Sequence, residues 1–221
     1  IMEENRKGTG VFYAVVGVAT LVVAIIGATF AYFSASATNN TVITGQTSEA
    51  ANLGLEVKKL DTAAGGLIPM YDNLADKGVK NNCIDSNGNT VCHVYQIKLT
   101  NGKSPVNING TLTFTAEAQN IVYDITVANA AAESTLDALS TEIGSETKGV
   151  AFGTPGTLAS GEAFTADQIK YYYVTVWLKE TGEAQEKVDA GKTTAYTGTV
   201  TFNAVGANGT NGVTATFSEG A

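Results

Sequence analysis

The chain has 221 residues, enough for one ordinary domain once any targeting segment is set aside. With 15% charged and 44% hydrophobic residues it carries enough apolar material to fold rather than stay disordered. The formal net charge of -8 comes without any Lys/Arg cluster, which excludes the electrostatic footprint of a nucleic-acid binder and leaves an acidic surface.

The chain opens with Arg6 and Lys7 just ahead of an uncharged apolar run at 11–33. Residues 11–26 fit the apolar region of a signal peptide, and the small residues Gly27, Ala28, Thr29 and Ala31 suit a signal peptidase. The simplest cut follows Ala31 and makes Tyr32 the new N-terminus. The whole run is also long enough to stay in place as a membrane-spanning helix, and contact with a membrane is expected only through that helix if it is uncleaved. Arg6-Lys7-Gly8 resembles a type IV prepilin processing site as well, but Tyr13 stands where those pilins carry Glu.

Residues 32–52 are small and polar, rich in Ser, Thr and Asn, and read as an extended leader that need not pack on its own domain. The first strand is expected at 53–60, LGLEVKKL. Residues 61–82 show no clean period and carry Gly65, Gly66 and Pro69, which predicts a loop with at most one short turn of helix. From residue 92 a two-residue period takes over. Tyr95, Ile97 and Leu99 alternate with polar partners, as do Val106, Ile108, Leu112 and Phe114, then Tyr123, Ile125 and Val127. Residues 130–142 have helix-forming composition, with Leu136 and Leu139 spaced to pin a short helix on a sheet. Strands follow with Tyr172, Val174, Val176 and Leu178, with Tyr196, Val200 and Phe202, and finally at 213–217.

Seven or eight antiparallel strands with Gly, Asn and Pro in the turns predict a mainly β chain, an antiparallel β-sandwich of jelly-roll type with one helical insertion. The expected division is a signal segment at 1–31, a leader at 32–52 and the sandwich at 53–221.

Cys83 and Cys92 bracket IDSNGNTV, in which Asn87-Gly88 is a hairpin-turn signal, so the two thiols are expected to meet across a hairpin as a disulfide. Eight intervening residues do not make a redox CxxC, and no second pair exists to complete a zinc site. Asp85, Asn87 and Asn89 have the alternate spacing of calcium-loop oxygens, but Thr90 and Gln96 stand where that loop carries Gly and Glu, so they read as a plain turn.

The single histidine, His93, leaves no room for the usual zinc-hydrolase or Ser-His-Asp constellations; it reads as a rim residue. Neither HExxH nor GxSxG occurs. A carboxylate pair for glycoside hydrolysis is spaced in three dimensions, so scattered acids such as Glu117, Asp124 and Glu162 leave that reading open but unsupported. Tyr171, Tyr173 and Trp177 share one face of their strand and suggest either a ligand platform or packing. No catalytic residue, metal or cofactor is expected.

The segment GATFAYFSASATNNTVITGQT at 27–47 resembles the cleavage region of the TasA/camelysin family of secreted fibre proteins. Gly27, Thr29, Phe30, Ala31, Tyr32-Phe33 and the stretch from Thr41 to Gly45 match, while Ala28 replaces a second Gly. The resemblance implies cleavage by a signal peptidase of the SipW type and a jelly-roll subunit that polymerises with copies of itself into biofilm-matrix fibres. On that view Thr41, Val42 and Ile43 lie in a strand donated to the next subunit, the use to which an extended segment with no home strand is suited. The metalloprotease activity assigned to camelysins is not carried over, because HExxH is missing. The alternative expectation is a cell-surface carbohydrate- or host-binding module anchored by the N-terminal helix.

Overall fold

The computed structural model describes residues 40–44, 53–102, 104–143, 149–182, 194–206 and 209–219. The apolar run, the cut expected between Ala31 and Tyr32 and most of the leader lie outside these residues.

Eleven strands and two short helices are described: β1 (Asn40–Thr44), β2 (Leu53–Lys59), β3 (Pro69–Met70), α1 (Ala75–Lys80), β4 (Cys92–Asn101), β5 (Val106–Ala116), β6 (Ile121–Ala130), α2 (Leu136–Ile143), β7 (Val150–Ala151), β8 (Gly156–Phe164), β9 (Ile169–Lys179), β10 (Tyr196–Gly206) and β11 (Gly209–Glu219). A 3₁₀ turn, Asp72–Leu74, leads into α1. The strands form two sheets, β1-β2-β4-β9-β6-β7 and β11-β10-β5-β8. The two-residue β3 runs parallel to the end of β9, taking over where its partner β4 stops.

The expectation of a two-layer antiparallel β-sandwich is met. Strand order, which alternation cannot specify, follows the immunoglobulin constant-type arrangement rather than that of a jelly roll. The core strands β2-β4-β9-β6 face β11-β10-β5, with β8 added beside β5.

The main core lies between the sheets. Leu55, Ile97, Tyr172 and Val174 from the larger sheet meet Ile108, Leu112, Val200 and Phe202 from the smaller, all buried. Each comes from the alternating positions that put one face inward. Gly110 keeps the inward phase of β5 without a side chain and sits directly under the Phe202 ring, where a Cβ would clash.

A second core covers the outer face of the larger sheet. Val94, Val122, Tyr171, Tyr173 and Trp177 are roofed by Ala75 and Val79 of α1 and by Leu139 and Ile143 of α2. The loop expected at 61–82 is therefore half of this roof. Its helix is too short to show a period, and only Ala75, Gly78 and Val79 in it are buried. Because β9 is covered on both sides, it reads as nearly continuous apolar sequence rather than as a half-buried strand.

Candidate functional site

Three places in the fold hold the residues singled out by sequence. The first is the free side of the larger sheet. Thr41, Val42 and Ile43 lie in β1, which pairs antiparallel with β2 in the register Thr41↔Val57, Val42↔Glu56 and Ile43↔Leu55. The segment thus has a partner strand on its own domain, and β1 is the terminal strand of the sheet. Beneath it, the backbone groups of β2 that point away from β4 have their ladder partners in β1. Withdrawing β1 would leave β2 as an open edge, the element that accepts a strand from another chain.

The second place is the aromatic face, where the suggestion of a surface platform is corrected. Tyr173 and Trp177 are fully buried and Tyr171 is 8% exposed, because α1 and α2 cover that side of the sheet. The polar tips of Tyr173 and Trp177 are satisfied from inside. The Trp177 indole N–H donates to Asp72 Oδ1 at 3.0 Å, while the Tyr173 hydroxyl oxygen accepts from Gln96 Nε2 at 3.1 Å and from the Ser134 amide at 2.7 Å. These rings are packing with fixed polar ends.

The third is the hairpin after α1. Cys83 and Cys92 are joined as a disulfide with their Cα atoms 4.8 Å apart. Between them, Ile84 and Thr90 form a single bridge, and Gly88 takes the positive φ of 85° that closes the turn. Asp85 Oδ1 accepts from the backbone amides of Asn87 and Asn89, and Oδ2 from the Asn89 side-chain amide. These bonds, led by the Asn89 side chain, hold the Asp85 carboxyl below its usual range. The three residues spend their groups on one another as an Asx turn. No group of three or more metal-ligating side chains occurs among the described residues.

One cluster went unrecognised in the sequence. At one end of the sandwich interior, Lys59 Nζ lies 2.8 Å from Glu219 Oε1 and 3.7 Å from Asp61 Oδ1, and donates to the Ala63 carbonyl at 2.9 Å. Asp61 has no exposed side-chain surface; its Oδ2 accepts from the Val94 amide at 2.7 Å, and its Oδ1 from the Ala63 amide at 3.2 Å. His93 Nδ1 is 3.3 Å from the same Oδ1, and the ring is fully buried, which corrects its reading as a rim residue. Tyr95 donates to Glu219 Oε2 at 3.2 Å and shares a 2.8 Å hydrogen bond with Tyr196. Burial raises both phenols above the ordinary tyrosine range, so they stay neutral donors.

Register explains the assembly. Lys59 stands opposite Tyr95 in one sheet and Tyr196 opposite Glu219 in the other, so two cross-strand pairs face each other across the gap. The signal was parity: Lys59 continues the inward series Leu53, Leu55, Val57, and Glu219 continues Val213, Ala215, Phe217.

Fold and sites together define a two-sheet antiparallel β-sandwich with a helical roof, an edge strand from the N-terminal leader and a buried ionic cluster joining the sheets. No family model matches the chain, and no curated protein matches it. Among solved structures it is similar to the GAE domain of GGA2p from Saccharomyces cerevisiae at 11% identity and a TM-score of 0.31, over 81% of this chain and 96% of that one. It is also similar to a family 123 glycoside hydrolase from Clostridium perfringens at 13% identity and a TM-score of 0.29. That match covers 76% of this chain but only 27% of the hydrolase. Likeness at this level carries no functional argument.

Proposed function

We propose that this chain is an exported structural subunit that assembles with copies of itself into extracellular fibres by exchanging the strand Asn40–Thr44 between neighbours. The observation that carries the reading is the position of that segment. Among the described residues it is the terminal strand of its sheet, paired with β2, and residues 45–52 follow it in the chain before β2 begins. The hydrogen bonds it makes in its own subunit are the ones it would make on the β2 edge of the next, so exchange conserves the ladder while linking chains. The disulfide fits an oxidising compartment. Export through a cut after Ala31 by a SipW-type peptidase would free the leader for this use.

No catalytic role is proposed. Asp61, the most buried acid of the ionic cluster, is turned towards the chain's own Ala63, His93 and Val94 rather than towards an outside substrate. Burial of Tyr171, Tyr173 and Trp177 also removes the surface on which a carbohydrate-binding reading rested.

The test joins N-terminal sequencing of the exported product to electron microscopy of the same sample. A Tyr32 start with fibres is expected, together with loss of fibres and a soluble monomer when residues 32–45 are deleted. Fibres from the deleted protein would show that assembly does not use this strand.

A further inference from the structure

The ionic cluster is more than a salt bridge in its composition. A primary amine, a carboxyl group in direct contact with it, a second carboxylate buried beside the amine and a neutral phenol on the far carboxyl oxygen are the parts that an amide condensation needs. Lys59 and Glu219 are 7% and 14% exposed and sit at the end of the aromatic core, where Tyr95 packs 4.3 Å from the Phe217 ring. With Nζ 2.8 Å from Glu219 Oε1, the amine lies at most one C–O bond length further from the carboxyl carbon it would attack. It is held there from a third direction by the Ala63 carbonyl.

We propose that Lys59 and Glu219 condense into an intramolecular amide, with Asp61 carrying the proton and Tyr95 stabilising the oxyanion. The ammonium first passes a proton to Glu219 Oε1, leaving a neutral amine and a carboxylic acid. Nζ then forms a bond to Cδ, and the negative charge gathers on Oε2, where the Tyr95 O–H already points. Tyr196, hydrogen-bonded to Tyr95, holds that phenol in place. The nitrogen gives a second proton to the Asp61 carboxylate, which returns it to Oε1. The Cδ–Oε1 bond breaks, water leaves and the carbonyl re-forms. An ammonium and a carboxylate become one amide and one water, and no further reactant is consumed. The single proton left on nitrogen can keep donating to the Ala63 carbonyl.

Two physical effects favour the step. Fixed contact replaces a bimolecular encounter, and effective molarities for such well-oriented pairs reach roughly 10⁵–10⁸ M. A partly desolvated ion pair is costly to keep, and the amide removes both charges. The roles of Asp61 and Tyr95 also account for their burial. The Asp61 carboxylate is locked by the Val94 and Ala63 amides and by His93, so it has one orientation, with Oδ1 towards the amine. The product would tie β2 of the larger sheet to β11 of the smaller across 160 residues of chain, independently of whether the protein forms fibres.

The experiment is an intact mass of the purified exported chain, denatured and with its disulfide reduced, set against the mass calculated from its sequenced N-terminus. The expected result is a chain lighter by one water, with a protease digest yielding a branched peptide that contains Lys59 and Glu219. Lys59→Met and Glu219→Ala should each show the full mass of their own sequence, and Asp61→Asn should stay largely uncondensed. A wild-type chain of full mass overturns the proposal whatever the variants do, and so does a water loss that maps to other residues. An Asp61→Asn chain that condenses as completely as wild type removes the proton carrier from the scheme.

Discussion

Replacing Asp61 by alanine tests the internal structure of the ionic cluster most directly. The carboxylate has no exposed surface, and the Val94 amide donates to it at 2.7 Å and the Ala63 amide at 3.2 Å. Removing it leaves the Val94 amide without that acceptor in the interior, a loss of about 1–3 kcal/mol. While Lys59 and Glu219 are uncondensed, it also removes one of the two carboxylates that balance the Lys59 ammonium, and Glu219 remains. Breaking one side of a buried ionic pair costs about 3–5 kcal/mol when no partner is left. With a partner left, and with the cost of burying Asp61 itself relieved, a net loss of about 3 kcal/mol is expected. For a domain of this size that lowers Tm by roughly 6–12 °C. Asp61→Asn keeps one oxygen for Val94 and should lose about half as much. Urea unfolding followed by the fluorescence of Trp177, the single tryptophan, measures both. Repeating the pair in a Lys59→Met background separates the amide acceptor from the charge. A loss below about 1 kcal/mol for the alanine variant, at unchanged m-value, would refute the claim that this carboxylate is an internal acceptor.

Further outcomes follow from other parts of the fold. Replacing both Cys83 and Cys92 by alanine should lower stability by about 2–3 kcal/mol, since the bridge closes a loop of sequence separation 9 in the unfolded chain, and denaturant midpoints check it. Asp72→Ala removes the acceptor of the Trp177 indole and the partner of Lys179, which should cost about 1–2 kcal/mol and shift Trp177 emission to the red. Tyr95, Tyr172 and Tyr196 are all raised by burial, so the folded state resists their ionisation. The stability they contribute is present below the ordinary tyrosine pKa and is lost as pH climbs above it. Phenolate absorbance for these three should therefore appear only together with unfolding. Burial likewise raises Asp124, which makes the carboxylate a net cost above the usual Asp range. Asp124→Asn should gain stability at neutral pH and none in acid, as read from unfolding curves at the two pH values.

Most strands were legible because a half-buried strand writes its two faces into alternate residues, as in β4, β5 and β10. β8 was not, since Gly161 at a φ of 64° and the irregular register with β5 interrupt its pattern. The roof over the larger sheet was half legible. Leu136 and Leu139 announced α2, but α1 covers its patch with Ala75 and Val79 from a helix of six residues, too short for a period. Burial of Tyr171, Tyr173 and Trp177 depends on that roof, so a strand pattern alone could not separate a platform from packing. The ionic cluster was hidden for another reason. Lys59, Asp61 and Glu219 look like ordinary strand-end charges until parity is followed past the last apolar residue of β2 and β11. The disulfide needed only the spacing and the turn residues.

The two-sided burial of β9 has a consequence for how the strand finds its place. Sliding a half-buried strand by one residue turns polar groups inward, and that penalty holds it in register. β9 has little of this protection, because a slip would exchange the set Tyr172, Val174, Val176 for the set Tyr171, Tyr173, Thr175, Trp177, and both are apolar but for Thr175, whose hydroxyl is paired with that of Thr126. What distinguishes the two faces is a handful of polar ends: the Trp177 indole on Asp72, the Tyr173 hydroxyl between Gln96 and Ser134, and the Lys170 ammonium on the Ala163 carbonyl and Glu162. These contacts act as index marks along an otherwise featureless ruler. Their loss should show first as heterogeneity in the pairing of β9 with β4 and β6, before any large fall in total stability.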